Sequence, residues 1–370
     1  MPTMVFHAAY RLNPESVSGS AIRPIQMKAA FAQAGFEVFD LTGTAKERSI
    51  KFRELKSQVK SGKRLDFMYS ESATIPPMLG DPNHFPHPFL DAQIFAWFKR
   101  NGIPQSVFYR DIYWRFDEYA RQVGKLLAAA MRPIYRMELA LYRRYMTKIY
   151  VPSLQMAAEI PQLVGTRVGE LPPGGNNIDA QVENTPIRLL YVGNVGRLYQ
   201  LHEIVEAVKA NPDFFLTICT ARDSWAKVKD EYELTDFDNV SIVHSSGDEL
   251  LELYRSANIA ALVVEPSRYR GFAVPVKLFE YVNYGKPIIV SSGTLASQIV
   301  ADNGWGWVID NDRADIERTL RKLADCPQQI TQATARVLEK RSEHTWVARA
   351  KKVAADLTTF PIKCHNSKSI

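Results

Sequence analysis

Short apolar runs typical of buried β-strands alternate with longer helical patterns along nearly the whole chain. Such alternation predicts the α/β class, with parallel sheets covered by helices on both faces. A length of 370 residues is suited to two domains of this kind. We predict strands at Met4–His7, Leu65–Tyr69 and Ser106–Tyr109, with another starting at Val38-Phe39, and then at Arg188–Val192, Phe215–Cys219, Val240–His244, Ile259–Val264, Pro287–Val290 and Gly306–Ile309.

A turn-rich segment, Leu171–Asn177, separates the two halves of the chain. It contains two prolines, two glycines and two asparagines in seven residues, a composition typical of a linker. We therefore predict an N-terminal domain at 1–170 and a C-terminal domain at 171–350. Residues 351–370 are expected to form the end of a C-terminal helix and a frayed tail.

The composition excludes several classes of protein. A hydrophobic content of 46% and a charged content of 23% are those of an ordinary globular protein. The chain does not begin with a basic segment followed by an apolar stretch, and it has no run of about 18 apolar residues, so neither a signal peptide nor a membrane-spanning helix is expected. The cysteines, at 219, 326 and 364, lack the spacing of a zinc site or a disulfide framework. We expect a cytoplasmic protein.

The positive charge is concentrated in residues 121–150. This segment carries seven basic residues and one acid, an excess equal to the +6 of the whole chain. The balanced remainder argues against a nucleic-acid partner. We predict a helix from Pro133 to about Lys148, with Ile134, Met137, Leu141 and Tyr145 on an apolar face and Arg132, Arg136 and Arg143 opposite. Two interpretations stay open: peripheral contact of 121–150 with an anionic membrane, or a packed helix with solvated arginines.

A glycine-containing turn follows the first predicted strand of the second half. Gly193 and Gly196 come directly after that apolar strand, and a helical pattern begins at about Leu198. Glycines let a backbone approach a phosphate closely, and a helix start favours negative charge. Arg197 would add a forked cationic contact. Gly193 and Arg197 are therefore candidate phosphate ligands, although an ordinary strand-to-helix turn has the same spacing.

A second candidate site lies on the helix that Pro275 begins. Lys277 and Glu280 are three residues apart and so share one helix face. A carboxylate there can accept hydrogen bonds from both hydroxyls of a ribose, while the lysine contacts a diphosphate. The alternative is a surface ion pair worth less than about 1 kcal/mol.

The segment Lys277-Leu278-Phe279-Glu280-Tyr281, followed by Gly285-Lys286-Pro287, resembles the donor-binding signature of GT-B glycosyltransferases. The resemblance is to family 4 and its capsular or exopolysaccharide relatives, and it covers roughly residues 150–357, including Tyr191-Val192-Gly193. It implies two Rossmann-like domains with a cleft between them, the acceptor in the first and the donor in the second. It further implies a hexosyltransferase without metal or cofactor, whose co-substrate is a nucleotide-sugar. We expect a UDP-sugar, although no motif identifies the base or the sugar.

Two positions depart from the family pattern. Phe272 stands eight residues before Glu280, where retaining enzymes of family 4 carry another glutamate. Gln200 stands where a lysine usually holds the diphosphate. By the resemblance Glu280 remains the ribose ligand, and transfer with retention or with inversion stays open.

The first half contains the candidate residues for acceptor chemistry. By the resemblance, Gly19 belongs to a small-residue loop facing the donor phosphate. If transfer inverts the anomeric centre, a carboxylate must remove the proton of the acceptor hydroxyl, and Asp111 is the first candidate, with Arg110 positioning it or stabilising charge. Glu71 is the second candidate, and Glu71 and Tyr113 are candidate acceptor contacts. The alternative for Asp111 is a cap on the segment that follows it.

Three functions stay open. The leading hypothesis is a transferase that builds a polysaccharide or glycolipid on a glycan or lipid-linked acceptor, at the inner face of the plasma membrane. A nucleotide-sugar 2-epimerase has the same architecture but needs no acceptor. A degenerate subunit would bind a sugar nucleotide or support an active partner, and Phe272 and Gln200 favour that alternative.

Overall fold

The computed structural model describes residues 1–14, 19–163, 165, 167–180, 183–196, 199–234 and 237–358. The chain divides into two compact units. The first unit comprises Met1–Pro172 and the chain from Trp346 onward, and the second comprises Pro173–Thr345. Each unit has its own parallel sheet with flanking helices, which confirms the predicted α/β fold with two Rossmann-like domains.

The sheet of the first unit has the strand order β2-β1-β3-β4-β5-β6, and all its described pairings are parallel. Its strands are β1 Thr3–Ala8, β2 Glu37–Thr42, β3 Phe67–Glu71, β4 Gln105–Phe108, β5 Lys148–Val151 and β6 Val168–Glu170. Strand β1 is buried along its whole length, as expected for a strand paired on both edges and covered on both faces. The register aligns Ala8 with Glu71 and Glu71 with Phe108. The carboxyl ends of β1, β3 and β4 therefore lie side by side.

The helices of the first unit include the helix at the C-terminal end of the described chain. They are α1 Gly19–Gln33, α2 Ala45–Lys60, α3 Leu90–Arg100, α4 Asp117–Val123, α5 Lys125–Tyr145, α6 Leu154–Ala158 and α14 Trp346–Thr358. Helix α14 packs on α1, and its Asp356 accepts hydrogen bonds from Lys148 (2.7 Å) and Tyr150 (2.8 Å) of β5. The whole of α14 thus belongs to the first unit, whereas the predicted boundary assigned its beginning, up to residue 350, to the second domain. Most of the predicted tail lies outside the described residues.

Helix α5 differs from the helix predicted in the basic segment. It begins at Lys125 and contains Pro133, which was predicted to start it, and Lys148 belongs to strand β5. Its buried side chains are Ala128, Tyr135, Glu138, Leu139 and Tyr142, not the predicted apolar face. The reason is aromatic packing, since the ring of Tyr135 stacks on Trp114 with centroids 5.1 Å apart. The helix carries two apolar stripes, and the core takes the one that contains Tyr135 and Tyr142.

The sheet of the second unit has the order β12-β11-β10-β7-β8-β9, again with parallel pairings. Its strands are β7 Ile187–Val192, β8 Phe214–Cys219, β9 Val240–Val243, β10 Ile259–Leu262, β11 Ile288–Ser291 and β12 Gly306–Ile309. Strand β7 pairs with β8 on one side and with β10 on the other, so the strand order reverses there. In open α/β sheets, ligands bind beyond the carboxyl ends of the strands at such a reversal.

The helices of the second unit cover both faces of this sheet. They are α7 His202–Lys209, α8 Arg222–Trp225, α9 Asp248–Ser256, α10 Val276–Asn283, α11 Leu295–Asn303, α12 Arg313–Asp325 and α13 Gln328–Lys340. Successive side chains of β7 enter different core clusters: Leu189 and Tyr191 join one, and Leu190 joins the other. Burial on both faces explains why the strand is a continuous apolar run in the sequence.

Candidate donor-binding site

In the glycine turn after β7, the side chain of Lys277 lies close to the backbone of Gly193. Gly193 has a φ of +143°, and its N–H donates to the carbonyl of Cys219 (2.8 Å). A Cβ at this position would lie 1.9 Å from Cε and 2.0 Å from Nζ of Lys277. Glycine is favoured here because L side chains rarely adopt this φ and because the lysine side chain lies directly against the backbone. Arg197, the other predicted phosphate ligand of this turn, lies outside the described residues, and the following helix begins at His202.

Lys277 lies in the first turn of α10 and is held between aromatic rings. Its Nζ donates to the hydroxyl of Tyr191 (2.7 Å) and lies 4.3 Å from the ring centroids of both Tyr191 and Tyr199. Burial, together with the charge of Arg270, lowers the pKa of Lys277 to about 7, although Glu280 opposes the shift. The ammonium is therefore partly deprotonated at neutral pH, and an anion placed beside it would favour the charged form.

Arg270 supplies a second cation to the same place. Its guanidinium lies 5.3 Å from the ring centroid of Tyr199, so this ring is within cation–π distance of both Arg270 and Lys277. Burial lowers the pKa of Arg270. We call Lys277, Arg270 and Tyr199 the cation site. Two partly desolvated cations beside a glycine turn form a suitable environment for a diphosphate.

Glu280 lies almost one turn beyond Lys277 on α10. Burial raises the pKa of its carboxyl group, while the hydroxyl of Tyr254 and the charge of Lys277 favour the ionised form. Tyr254 is fully buried and its ring stacks on Tyr284, with centroids 3.7 Å apart and planes 6° from parallel. This stack holds Tyr254 in place beside the carboxylate. The surface ion pair considered for Lys277 and Glu280 is therefore not what the structure contains.

Two residues of the sequence signature have structural roles. Phe272, at the position of the missing glutamate, is buried and packs edge-on against Tyr269 (5.2 Å). Lys286 of the Gly-Lys-Pro motif is buried and donates to the carbonyls of Ala180 and Ala257. Burial lowers the pKa of Lys286 to about 8. Its hydrogen bonds connect the segment before β7 to the end of α9, and so stabilise the second unit.

The second unit matches a known family in sequence. Residues 176–343 match the family described as Glycosyl transferases group 1. The chain is a glycosyltransferase. No curated protein sequence matches it.

Solved structures show that this glycosyltransferase has the GT-B fold. Sucrose-phosphate synthase from Thermosynechococcus elongatus is 15% identical with a TM-score of 0.63, over 95% of this chain and 98% of that one. WaaG, a glycosyltransferase involved in lipopolysaccharide biosynthesis, is 15% identical with a TM-score of 0.58, over 96% and 100%. HepE from Anabaena, solved in complex with UDP, is 11% identical with a TM-score of 0.63, over 97% and 100%. At these identities the likeness shows the fold alone.

In the first unit of the glycosyltransferase, Asp111 caps a short turn. Its Oδ1 accepts hydrogen bonds from the backbone N–H groups of Ile112 (2.6 Å) and Tyr113 (2.9 Å), at the start of the 3₁₀ turn Tyr113–Arg115. This is the capping geometry considered as the alternative for Asp111. Tyr113 packs edge-on against the ring of Tyr119 (6.3 Å). The roles of Asp111 as a base and of Tyr113 as an acceptor contact stay predictions.

Glu71 is the last residue of β3, and its side chain is fully buried. Its Oε1 accepts from Nε of Arg23 (3.1 Å) and from the hydroxyl of Tyr69 (2.6 Å). A carboxylate enclosed in this way does not reach a substrate, so the geometry does not favour the predicted acceptor contact or base role of Glu71. Gly19, predicted in a loop, is the first residue of α1.

Several tyrosines of the candidate donor-binding site were not identified from the sequence. Tyr191 lies in a recognised strand, but nothing in the sequence shows that its hydroxyl reaches Lys277. Tyr199 lies in the connection between β7 and α7, and Tyr254 lies on α9, so both are distant from α10 along the chain. Their combination depends on the order of strands in the sheet, which brings the ends of β7 and β10 together.

Proposed function

We propose that this glycosyltransferase moves a sugar from a UDP-sugar to a glycan or lipid-linked acceptor in the synthesis of a cell-surface polysaccharide or glycolipid. The observation that supports the donor assignment is the position of Lys277. Its side chain lies against Gly193, donates a hydrogen bond to Tyr191 and is almost one helical turn from Glu280. The choice of UDP is supported by HepE, solved in complex with UDP and with UDP-glucose. Lys277 and the turn at Gly193 bind the diphosphate, and Glu280 binds the ribose hydroxyls.

The chemistry follows from this donor position. The bond between the anomeric carbon and the diphosphate oxygen breaks as the acceptor oxygen bonds to that carbon, and negative charge develops on the leaving diphosphate. Lys277 and Arg270 stabilise this charge without a metal ion. In an inverting transfer, the carboxylate of Asp111 takes the proton of the acceptor hydroxyl.

A thermal-shift screen against UDP, GDP, ADP, dTDP and their common sugar conjugates tests the donor assignment. A ligand at 100 times its Kd adds about 2.7 kcal/mol of stability and raises Tm by a few degrees. We expect UDP compounds to give this shift and Glu280→Ala to reduce it, while Glu339→Ala, an exposed glutamate on α13, leaves it unchanged. If no nucleotide shifts Tm, the degenerate-subunit hypothesis replaces this one.

Donor affinity is expected to depend on pH through Lys277. Its pKa in the free protein, about 7, is below the ordinary value of 10.5. Above pH 7, Lys277 must therefore take up a proton from solvent when the diphosphate binds. From about pH 7 to pH 8.5, affinity for the nucleotide sugar found in the screen should fall by up to about tenfold per pH unit. Lys277→Arg should bind with little pH dependence because its guanidinium stays charged. Isothermal titration across this range measures both slopes, and equal slopes would contradict the assignment.

Helix α5 presents basic and apolar side chains together. Leu126 is 91% exposed and Met137 is 59% exposed, and the side chains of Arg136 and Arg143 are also exposed. Burial raises the pKa of Glu138, the single acid of residues 121–150, to about 8, so it is mostly uncharged at neutral pH. None of the helices in the described part of the chain has the length and apolar character needed to span a bilayer. We propose peripheral contact of this segment with the anionic inner face of the plasma membrane.

Flotation with liposomes tests this contact. We expect the chain to float with vesicles containing anionic lipid and not with neutral ones. The pair Arg136→Gln and Arg143→Gln should lose most of this binding. The pair Arg318→Gln and Arg321→Gln, exposed on α12, is the charge-matched control. Absence of flotation with anionic vesicles would refute the proposal.

A further inference from the structure

Arginine side chains collect near the carboxyl edge of the first unit's sheet. Glu71 ends β3, and Arg110 follows the end of β4. Arg23 reaches Glu71 from α1, and Arg349 comes from the first turn of α14. Tyr10, two residues after β1, accepts a hydrogen bond from Nη2 of Arg110 (3.1 Å). We call Arg23, Arg110 and Arg349, with Tyr10 and Glu71, the arginine cluster.

Within this cluster, the guanidinium groups of Arg23 and Arg110 lie beside one carboxylate, that of Glu71. The carboxylate of Glu71 lies 3.1 Å from Nε of Arg23 and 3.8 Å from Nη2 of Arg110. It is therefore shared by two guanidinium groups. Burial and the charge of Arg23 lower the pKa of Arg349 to about 10, although Glu170 opposes the shift.

Some of the hydrogen-bonding capacity of the cluster is unused. Nη1 of Arg23 and Nε of Arg110 are buried and have no hydrogen-bond partner in the described part of the chain, as is also true of Oε2 of Glu71. The guanidinium of Arg23 is fixed, since it lies 3.3 Å from the ring centroid of Phe108 and its side chain is 4% exposed. Water would satisfy these N–H groups but would not balance their charge. An anion with several acceptor oxygens would do both.

We propose that the arginine cluster binds a phosphate group of the acceptor. The side chain of Arg110 is 14% exposed, whereas those of Arg23 and Glu71 are 4% and 0% exposed, so an anion arriving from solvent can reach Arg110. Burial raises the pKa of Tyr10 to about 12, so its hydroxyl remains protonated and donates as well. Arg110 is then a binding residue that recognises a phosphorylated acceptor, either a sugar phosphate or a phosphate-bearing lipid. This inference rests on the acceptor role of the first unit in the proposed function.

Isothermal titration of the full chain, saturated with UDP, tests the cluster. The probes are glucose 6-phosphate against glucose, and farnesyl phosphate against farnesol in one detergent. We expect at least one phosphorylated probe to bind at least about tenfold more tightly than its neutral counterpart. Arg110→Gln should weaken that binding by about 10- to 100-fold, and Arg110→Lys should weaken it less, because the charge remains but the fork is lost. Arg115→Gln, an exposed arginine of the following turn, should change nothing.

The outcomes separate the two proposals. Preference for glucose 6-phosphate identifies a soluble sugar phosphate as the source of the anion, and preference for farnesyl phosphate identifies a lipid. If UDP binds but neither phosphate is preferred, or Arg110→Gln binds phosphates as the unchanged chain does, the cluster only stabilises the fold and the inference is wrong. If UDP itself does not bind, the proposed donor function is wrong, whatever the phosphate probes show.

Discussion

If transfer inverts the anomeric centre, replacing Asp111 with asparagine should lower its rate by about 10²- to 10⁴-fold, the usual contribution of a general base. An amide cannot take the proton of the acceptor hydroxyl. Its oxygen can still accept the hydrogen bonds that Asp111 receives from the N–H groups of Ile112 and Tyr113, so the cap should survive. We therefore expect Tm and donor affinity to stay unchanged, with turnover measured as nucleotide release in the presence of acceptor.

The matched control for this prediction is Asp117→Asn. Asp117 is an exposed carboxylate in the first turn of α4, just after the turn that Asp111 caps, so it reports the effect of losing one nearby negative charge. Full turnover in Asp111→Asn would leave Asp111 with the capping role alone. A chain without any turnover before mutation would instead agree with a degenerate subunit.

Gly193→Ala should weaken donor binding by about 10- to 100-fold while the fold persists. The new methyl group would occupy the place of Cε and Nζ of Lys277, at 1.9 and 2.0 Å. The end of a lysine side chain can move away, so the clash displaces the ammonium from Tyr191 without disrupting the sheet. Losing a charge-assisted contact to the diphosphate costs about 1.5–3 kcal/mol, which corresponds to the expected loss of affinity.

A double-mutant cycle distinguishes this explanation from backbone strain. In a Lys277→Ala background, Gly193→Ala should cost much less, because no ammonium remains to be displaced. Gly196→Ala is the control for strain. Gly196 also has a positive φ, +123°, but among the described residues a Cβ there meets only Val228, at 3.7 Å. Additive effects of the two changes, measured by isothermal titration, would show that Gly193 and Lys277 act independently.

Sequence alone located most of the elements of the second unit and part of its site. The predicted strands there agree with β7–β12 within one or two residues, because strands buried on both faces are continuous apolar runs. Gly193 was recognisable as a turn residue after such a run, and the spacing of Lys277 and Glu280 placed both on one face of α10. These are local properties of a short segment, so no knowledge of the packing was needed.

Tertiary structure decided the features that depend on residues far apart in the chain. Strand β6 has only three residues and lies at the edge of its sheet, so its local pattern is too short to recognise. The periodicity of α5 allowed two apolar faces, and stacking on Trp114 selected the one with Tyr135. Likewise, the burial of Glu71 and the contact of Lys277 with Tyr191 arise from neighbouring strands and helices. A periodic pattern shows which side chains can be buried together, but the energy of packing against distant partners determines which of them are.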